Sequence, residues 1–179
     1  MLNLPNTLSV IRIAIVPVFV VLYFSNTEYA RVYAVLLYVL ATFTDFLDGY
    51  LARKYNLITN LGKVLDPLGD KLLTFAVLIC ITVDGIIQPW VVVLFFLKEA
   101  LMGLGGIYIH RRIKTEIPPS NMLGKTATVL FFVICVLLMI FEKSISKTAA
   151  AVMIAFALLV SFAAFISYII TFRRLTKNN

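Results

Sequence analysis

The sequence predicts an all-α integral membrane protein, a bundle of six transmembrane helices forming one domain over residues 1–179. Three observations carry that expectation. Of the 179 residues, 61% are hydrophobic and 14% charged, whereas a soluble domain carries about 25% charged residues. A chain this short leaves much of its surface exposed, so a water-soluble fold could not hide that much apolar side chain. Apolar stretches close to the ~20 residues that cross a bilayer as a helix also recur along the chain, with short polar breaks between them.

The first stretch runs from Leu8 to Phe24. No basic residue precedes it and no small-residue cleavage site follows, so it is expected to remain as a helix and not to be removed as a secretory signal. Val32 to Ala52 and Val64 to Val83 form the second and third, and Trp90 to Ile109 the fourth, ending at His110, which reads as an interfacial residue. Met122 to Phe141 and Thr148 to Phe172 complete the set, the last opening on Ala149, Ala150 and Ala151, which suit close helix packing. Unsatisfied backbone groups are costly in lipid, so these stretches are expected as helices. Cys80 and Cys135 lie inside apolar runs without metal-ligand spacing and read as small packing residues.

Lysine and arginine set the orientation. Arg53, Lys54 and Lys63 follow the second stretch; Arg111, Arg112, Lys114 and Lys125 lie between the fourth and fifth; Arg173, Arg174 and Lys177 close the chain. Only Arg31, Lys143 and Lys147 stand on the opposite side, which predicts a multi-pass protein of the cell membrane with both termini cytoplasmic. The formal net charge of +7 is thereby assigned to topology. Nucleic acid is not expected as a partner, because the basic residues form no single stripe and do not alternate with exposed aromatics.

Acidic residues inside apolar stretches need a partner or a task. Asp45 and Asp48 are three apart, and Asp66 and Asp70 four apart, so each pair occupies one helix face. The connection from Leu51 to Leu65 returns the chain to the same membrane side, so the two pairs can face one another. Such carboxylates repel unless protons or cations neutralise them. Hard oxygen ligands suit magnesium, manganese or calcium better than zinc, and magnesium or manganese suits a phosphate-bearing substrate. Gly49, Ala52 and Gly62 are small and leave room for a bulky ligand, while Arg53 and Lys54 add positive charge for a pyrophosphate. The plainer reading is that the carboxylates form salt bridges with Arg53, Lys63 and Lys71; the desolvation of buried ion pairs weighs against it.

In full the segment reads Asp45-x2-Asp48-Gly49-x2-Ala52-Arg53-x8-Gly62-x3-Asp66-x3-Asp70. It resembles the signature of the CDP-alcohol phosphatidyltransferase family at every fixed position. Pro5-Asn6-Thr7-Leu8-Ser9-x2-Arg12 is similar to the amino-terminal segment of bacterial members, and six helices is the family's usual number. The resemblance implies that Asp45, Asp48 and Asp66 bind two Mg2+ or Mn2+ ions and that Asp70 also ligates metal and acts as base. It implies too that Gly49 and Ala52 line the nucleotide site, that CDP-diacylglycerol and an alcohol acceptor are the substrates, and that the protein is a homodimer. Asn6, Thr7, Arg12, Arg53 and Gly62 join the expected CDP-lipid site; Arg12 could also pair structurally or snorkel.

The acceptor is less legible. Lys98, beside Glu99, reads as either a substrate contact or half of a structural pair, and Arg111, Arg112 and Lys125 as either acceptor-phosphate ligands or topology signals. Phosphatidylglycerophosphate synthases resemble this chain in having a basic residue before a glutamate in the fourth helix and a Gly-Lys-x-Lys-Thr run before the fifth. Here Gly124-Lys125-Thr126-Ala127-Thr128 has alanine at the second lysine. Glycerol-3-phosphate is the expected acceptor, with phosphatidylglycerol, as in a CMP-forming cardiolipin synthase, or inositol phosphate as alternatives. A metal-ion transporter or membrane scaffold is the different class, but a transporter is expected to spread charge across the midplane, and here the acids gather near one face.

Overall fold

The computed structural model describes residues 4–55, 59, 62–113 and 122–177, with side chains described except at 4–5, 51, 53, 63–64, 106–113 and 171–177. Its helices are α1 (Leu4–Tyr23), α2 (Ala30–Lys54), α3 (Gly62–Val83), α4 (Pro89–Ile113), α5 (Met122–Ile140) and α6 (Lys147–Lys177), with no strand among the described residues. Each expected helix is present. Several run past their apolar stretch, because a helix can continue into the polar zone where charged side chains meet headgroups and water. The link between α2 and α3 is therefore shorter than Leu51 to Leu65, and both acidic pairs lie within helices.

Local chemistry explains the helix ends. The Thr59 hydroxyl oxygen accepts a hydrogen bond from the Gly62 N–H at 2.9 Å and opens α3, and Ser146 does the same for Ala149 at 3.2 Å to open α6. Just past α3, Gly85 takes φ +70°, a left-handed conformation that glycine adopts without steric cost. Pro89 then begins α4, where its missing N–H would have had no partner in any case.

Among the described residues, four helical segments are long and apolar enough to cross a membrane: Asn6–Tyr23, Ala30–Tyr50, Met122–Ile140 and Lys147–Ile170. In α3 and α4 the pattern is interrupted by charge, at Asp66, Asp70 and Lys71 and at Lys98 and Glu99. Large apolar side chains such as Leu40, Phe43, Phe46, Leu104 and Leu159 are exposed, while Asn6, Ser9, Arg12, Asp48, Lys98 and Ser161 are buried. Polar groups inside and apolar groups outside is the arrangement favoured when lipid is the solvent.

The chain packs as two compact groups. The first comprises Met1–Asp84 with Met139–Glu142. Within it α1 packs on both α2 and α3. Phe19 meets Tyr23 and Tyr38 with ring centroids 5.8 and 6.3 Å apart, and Val77, Leu78 and Ile81 of α3 are buried. Polar groups tie the helix ends of this group together beyond the apolar layer. The Tyr23 hydroxyl donates to Asp84 at 2.6 Å, and Arg31 pairs with Asp84 at 2.8 Å and with Glu142. The Arg31 guanidinium also lies 4.4 Å from the Tyr23 ring centroid. In the second group, Gly85–Leu138 with Lys143–Asn179, α4 packs on α6 and Phe95 of α4 stacks on Phe131 of α5 at 4.8 Å.

Candidate active site

The first helix group brings three of the four motif carboxylates near one another, two of them paired with one arginine. Arg12 enters from α1 and is 1% exposed. Its Nη1 pairs with Asp45, and its Nη2 donates to Asp48 Oδ2 at 2.6 Å. Asp48 is 2% exposed and Asp45 remains partly open. From α3, Asp66 accepts a hydrogen bond from the buried Ser9 hydroxyl. Asp45, Asp48 and Asp66 are near enough for their like charges to repel one another. Asp70 sits one turn further along α3 and is half-buried, and its backbone carbonyl accepts the Thr74 hydroxyl at 3.0 Å.

Among the described residues, the α2 carboxylates Asp45 and Asp48 pair with Arg12, a residue of another helix. The side chains of Arg53 and Lys63 lie outside the described residues. Lys54 projects near the Tyr50 and Tyr55 rings, at 5.7 and 5.8 Å. Asn6, Ser9 and Arg12 are three apart along α1, so all are carried on one helix face, and all are buried. Thr7 lies on an exposed face.

Gly62 has a more specific reason for being small than ligand space. A Cβ there would fall 2.6 Å from Asn6 Oδ1 and 3.1 Å from Thr59 Oγ1. The Thr59 hydroxyl donates to Asn6 Oδ1 at 2.9 Å, so Thr59 joins the start of α1 to the start of α3. Ser9 stands in the quoted amino-terminal segment but was given no site role, and Thr59 was not singled out from the sequence. The i, i+3, i+6 spacing of Asn6, Ser9 and Arg12 is the signal for Ser9; none points to Thr59, whose partners are remote in sequence. Ala52 is buried and Gly49 half-buried on α2.

The expected acceptor residues belong to the second group. Lys98 is 6% exposed, pairs with Glu99 at 2.6 Å and donates to Ser161 of α6 at 2.6 Å. Lys125 is exposed at the start of α5, and Ala127, at the position of the missing lysine, is buried. Arg111 and Arg112 fall within α4, and their side chains, like the whole of Lys114, lie outside the described residues.

A divalent cation can be tested against this cluster. The donors are all carboxylate oxygens, the hard ligands that magnesium and manganese take. Among the described residues no group of three or more His, Cys, Asp or Glu is already gathered as a metal cage. Among the described residues Arg12 supplies positive charge instead, its guanidinium bridging Asp45 and Asp48. Its Nε has no hydrogen-bond partner among the described residues, and Nη1 faces Asp45 without hydrogen-bond alignment. The cluster therefore fits a hard cation in donor type.

Comparison with known proteins agrees with the geometry. The family model for CDP-alcohol phosphatidyltransferase matches residues 2–172. The CDP-diacylglycerol–glycerol-3-phosphate 3-phosphatidyltransferase of Rickettsia bellii is 42% identical over 128 residues, covering 72% of this chain and 70% of that protein. The Bacillus subtilis protein of the same name is 35% identical over 140 residues, 72% of each chain. A cardiolipin synthase (CMP-forming) of Streptomyces coelicolor is 37% identical over 131 residues, 71% of this chain and 60% of that protein. With a family match over nearly its whole length and the motif carboxylates drawn together inside lipid-adapted helices, the chain belongs to the CDP-alcohol phosphatidyltransferase family.

Proposed function

We propose that the chain transfers the phosphatidyl group of CDP-diacylglycerol to glycerol-3-phosphate, forming phosphatidylglycerophosphate and releasing CMP. The observation that carries this reading is the convergence of Asp45, Asp48 and Asp66, all motif positions, with Asp45 and Asp48 paired to the buried Arg12. Relatives bearing the matching name, at 35% and 42% identity, support the choice of acceptor.

Asp45, Asp48, Asp66 and Asp70 would hold two Mg2+ or Mn2+ ions. When bound, such ions supply charge neutralisation to a diphosphate and its leaving group. Asp70 takes the proton of the acceptor hydroxyl, whose oxygen bonds to the lipid-proximal phosphorus. The bond from that phosphorus to the CMP oxygen breaks, and CMP departs with the electron pair. Asn6, Thr7, Arg12, Gly49, Ala52, Arg53 and Gly62 form the CDP-lipid site, Arg12 and Arg53 by charge, Gly49 and Ala52 by leaving space, and Gly62 by admitting the Asn6 carboxamide that Thr59 holds. Burial keeps water from competing with the acceptor. Lys98, Arg111, Arg112 and Lys125 are assigned to the acceptor phosphate.

The reaction takes place at the cytoplasmic side of the cell membrane, with all six helices crossing it as one catalytic domain and both termini in the cytoplasm. The span of the family match supports a single domain. Family resemblance also supports a homodimer; light scattering in detergent should give protein mass near twice the 20.1 kDa chain, and a monomer would contradict it.

A second acceptor reading rests on Ala127 and on the cardiolipin synthase relative. Purified protein should be given CDP-diacylglycerol and Mg2+ or Mn2+, with glycerol-3-phosphate, phosphatidylglycerol or inositol phosphate in turn. Phosphatidylglycerophosphate from the first acceptor alone is the expected product. Cardiolipin from the second would transfer the assignment to that alternative.

A further inference from the structure

Arg12 has three properties that are not all expected of an ordinary structural salt bridge. It bridges two carboxylates of α2 from a different helix, so it can leave them without disturbing the backbone that carries them. It does so incompletely, since Nε lacks an acceptor among the described residues and Nη1 meets Asp45 without alignment, although the side chain is almost wholly buried. A guanidinium has five N–H donors, and a buried donor left unsatisfied is costly. Asp66 also lies near enough to add its negative charge to the pair that the guanidinium bridges.

We propose that Arg12 is an internal counter-cation that holds Asp45 and Asp48 together in the cation-free protein and competes with divalent metal for them. This rests on the reading of those carboxylates as the metal site. Removing all cations would leave the carboxylates repelling one another in low-dielectric surroundings, where like charges interact strongly. Arg12 prevents that, and so keeps the site assembled before metal arrives. The same pairing opposes metal entry, because the carboxylate oxygens that meet the guanidinium are those a cation would take. Once displaced, the guanidinium has donors available for an oxyanion, which gives Arg12 its place in the CDP-lipid site only after loading. By linkage, whatever Arg12 costs metal binding, metal costs the Arg12 pair equally.

The test is Mn2+ binding without nucleotide, followed through the electron paramagnetic resonance signal of the free ion. Wild-type protein is compared with Arg12→Gln, Arg12→Lys and, as a control that removes one exposed positive charge elsewhere, Lys143→Gln. Arg12→Gln should bind Mn2+ about tenfold more tightly than wild type, the scale of an ordinary coupling between sites. Arg12→Lys, which keeps a charge but loses the planar fork that bridges two carboxylates, should fall between them. Lys143→Gln should stay within about twofold of wild type. Metal-free Arg12→Gln should also melt at a lower temperature than wild type, and saturating Mn2+ should remove the difference.

Unchanged or weaker Mn2+ binding by Arg12→Gln would overturn the competition while leaving the metal site standing. No saturable binding by any of the proteins would sink the metal-site reading itself. Should Arg12→Gln not survive without metal, Arg12→Lys decides the matter, and binding no tighter than wild type contradicts the proposal.

Discussion

Gly62 and Gly69 stand one residue type but two packing environments apart. A methyl group at Gly62 would overlap the hydrogen-bonded Asn6 carboxamide, whereas at Gly69 its nearest neighbours, Ile13 Cγ1 and the Ser9 carbonyl oxygen, lie at 3.5 Å, an ordinary contact. Gly62→Ala should therefore destabilise the protein by about 1–2 kcal/mol through overpacking. Gly69→Ala should be neutral or slightly stabilising, since alanine is favoured over glycine within a helix by up to about 1 kcal/mol. Thermal unfolding in detergent checks both, and equal shifts would show that the Asn6–Thr59 node can move aside. Sequence alone located the glycine but not its neighbours. The spacing between Gly62 and Asp66 was visible, while the carboxamide against Gly62 comes from 56 residues earlier, a contact no local pattern encodes. The same holds for Arg12: its oddity in an apolar run was legible, but its partners on α2 were not.

Helices were the most legible elements, because six apolar stretches of bilayer length leave few other ways to satisfy a backbone in lipid. Their polar flanks were harder, since helix continuation past Ala52 or Phe172 depends on where side chains meet headgroups and water. The ends of α1, α2 and α3 also hold a network that sequence reading reduced to a single loop charge at Arg31. Tyr23, Arg31, Asp84 and Glu142 together fix the spacing of helices whose other ends carry the acidic motif. Tyr23→Phe removes one hydrogen bond and should cost about 1 kcal/mol. Arg31→Ala leaves Asp84 and Glu142 without their shared cation, and because these groups are partly open to solvent the cost should be about 1–2 kcal/mol. Melting temperatures of the two variants should therefore rank Tyr23→Phe above Arg31→Ala. The reverse order would mean that the Tyr23 hydroxyl on Asp84, not the Arg31 ion pairs, holds these ends.

Across the described residues, polarity is inverted relative to a soluble protein, and the proposed topology puts the acidic cluster on the side richer in basic residues. Native Cys80 and Cys135 are buried, which leaves a quiet background for cysteine labelling. With a membrane-impermeant maleimide, Lys143→Cys should label in intact cells, and Lys125→Cys only after permeabilisation. The opposite pattern would invert the proposed topology. The claim on which everything else depends is that the motif carboxylates form a cation-dependent phosphatidyl-transfer site. It is tested most directly by CMP release from labelled CDP-diacylglycerol with glycerol-3-phosphate, measured across a Mn2+ titration for wild type and Asp70→Asn. Release should vanish with chelator, return with Mn2+, and fall by about 10²–10⁴-fold in Asp70→Asn, the range for loss of a general base. Metal-independent release, or a folded, Mn2+-binding Asp70→Asn protein with near-normal turnover, would contradict it.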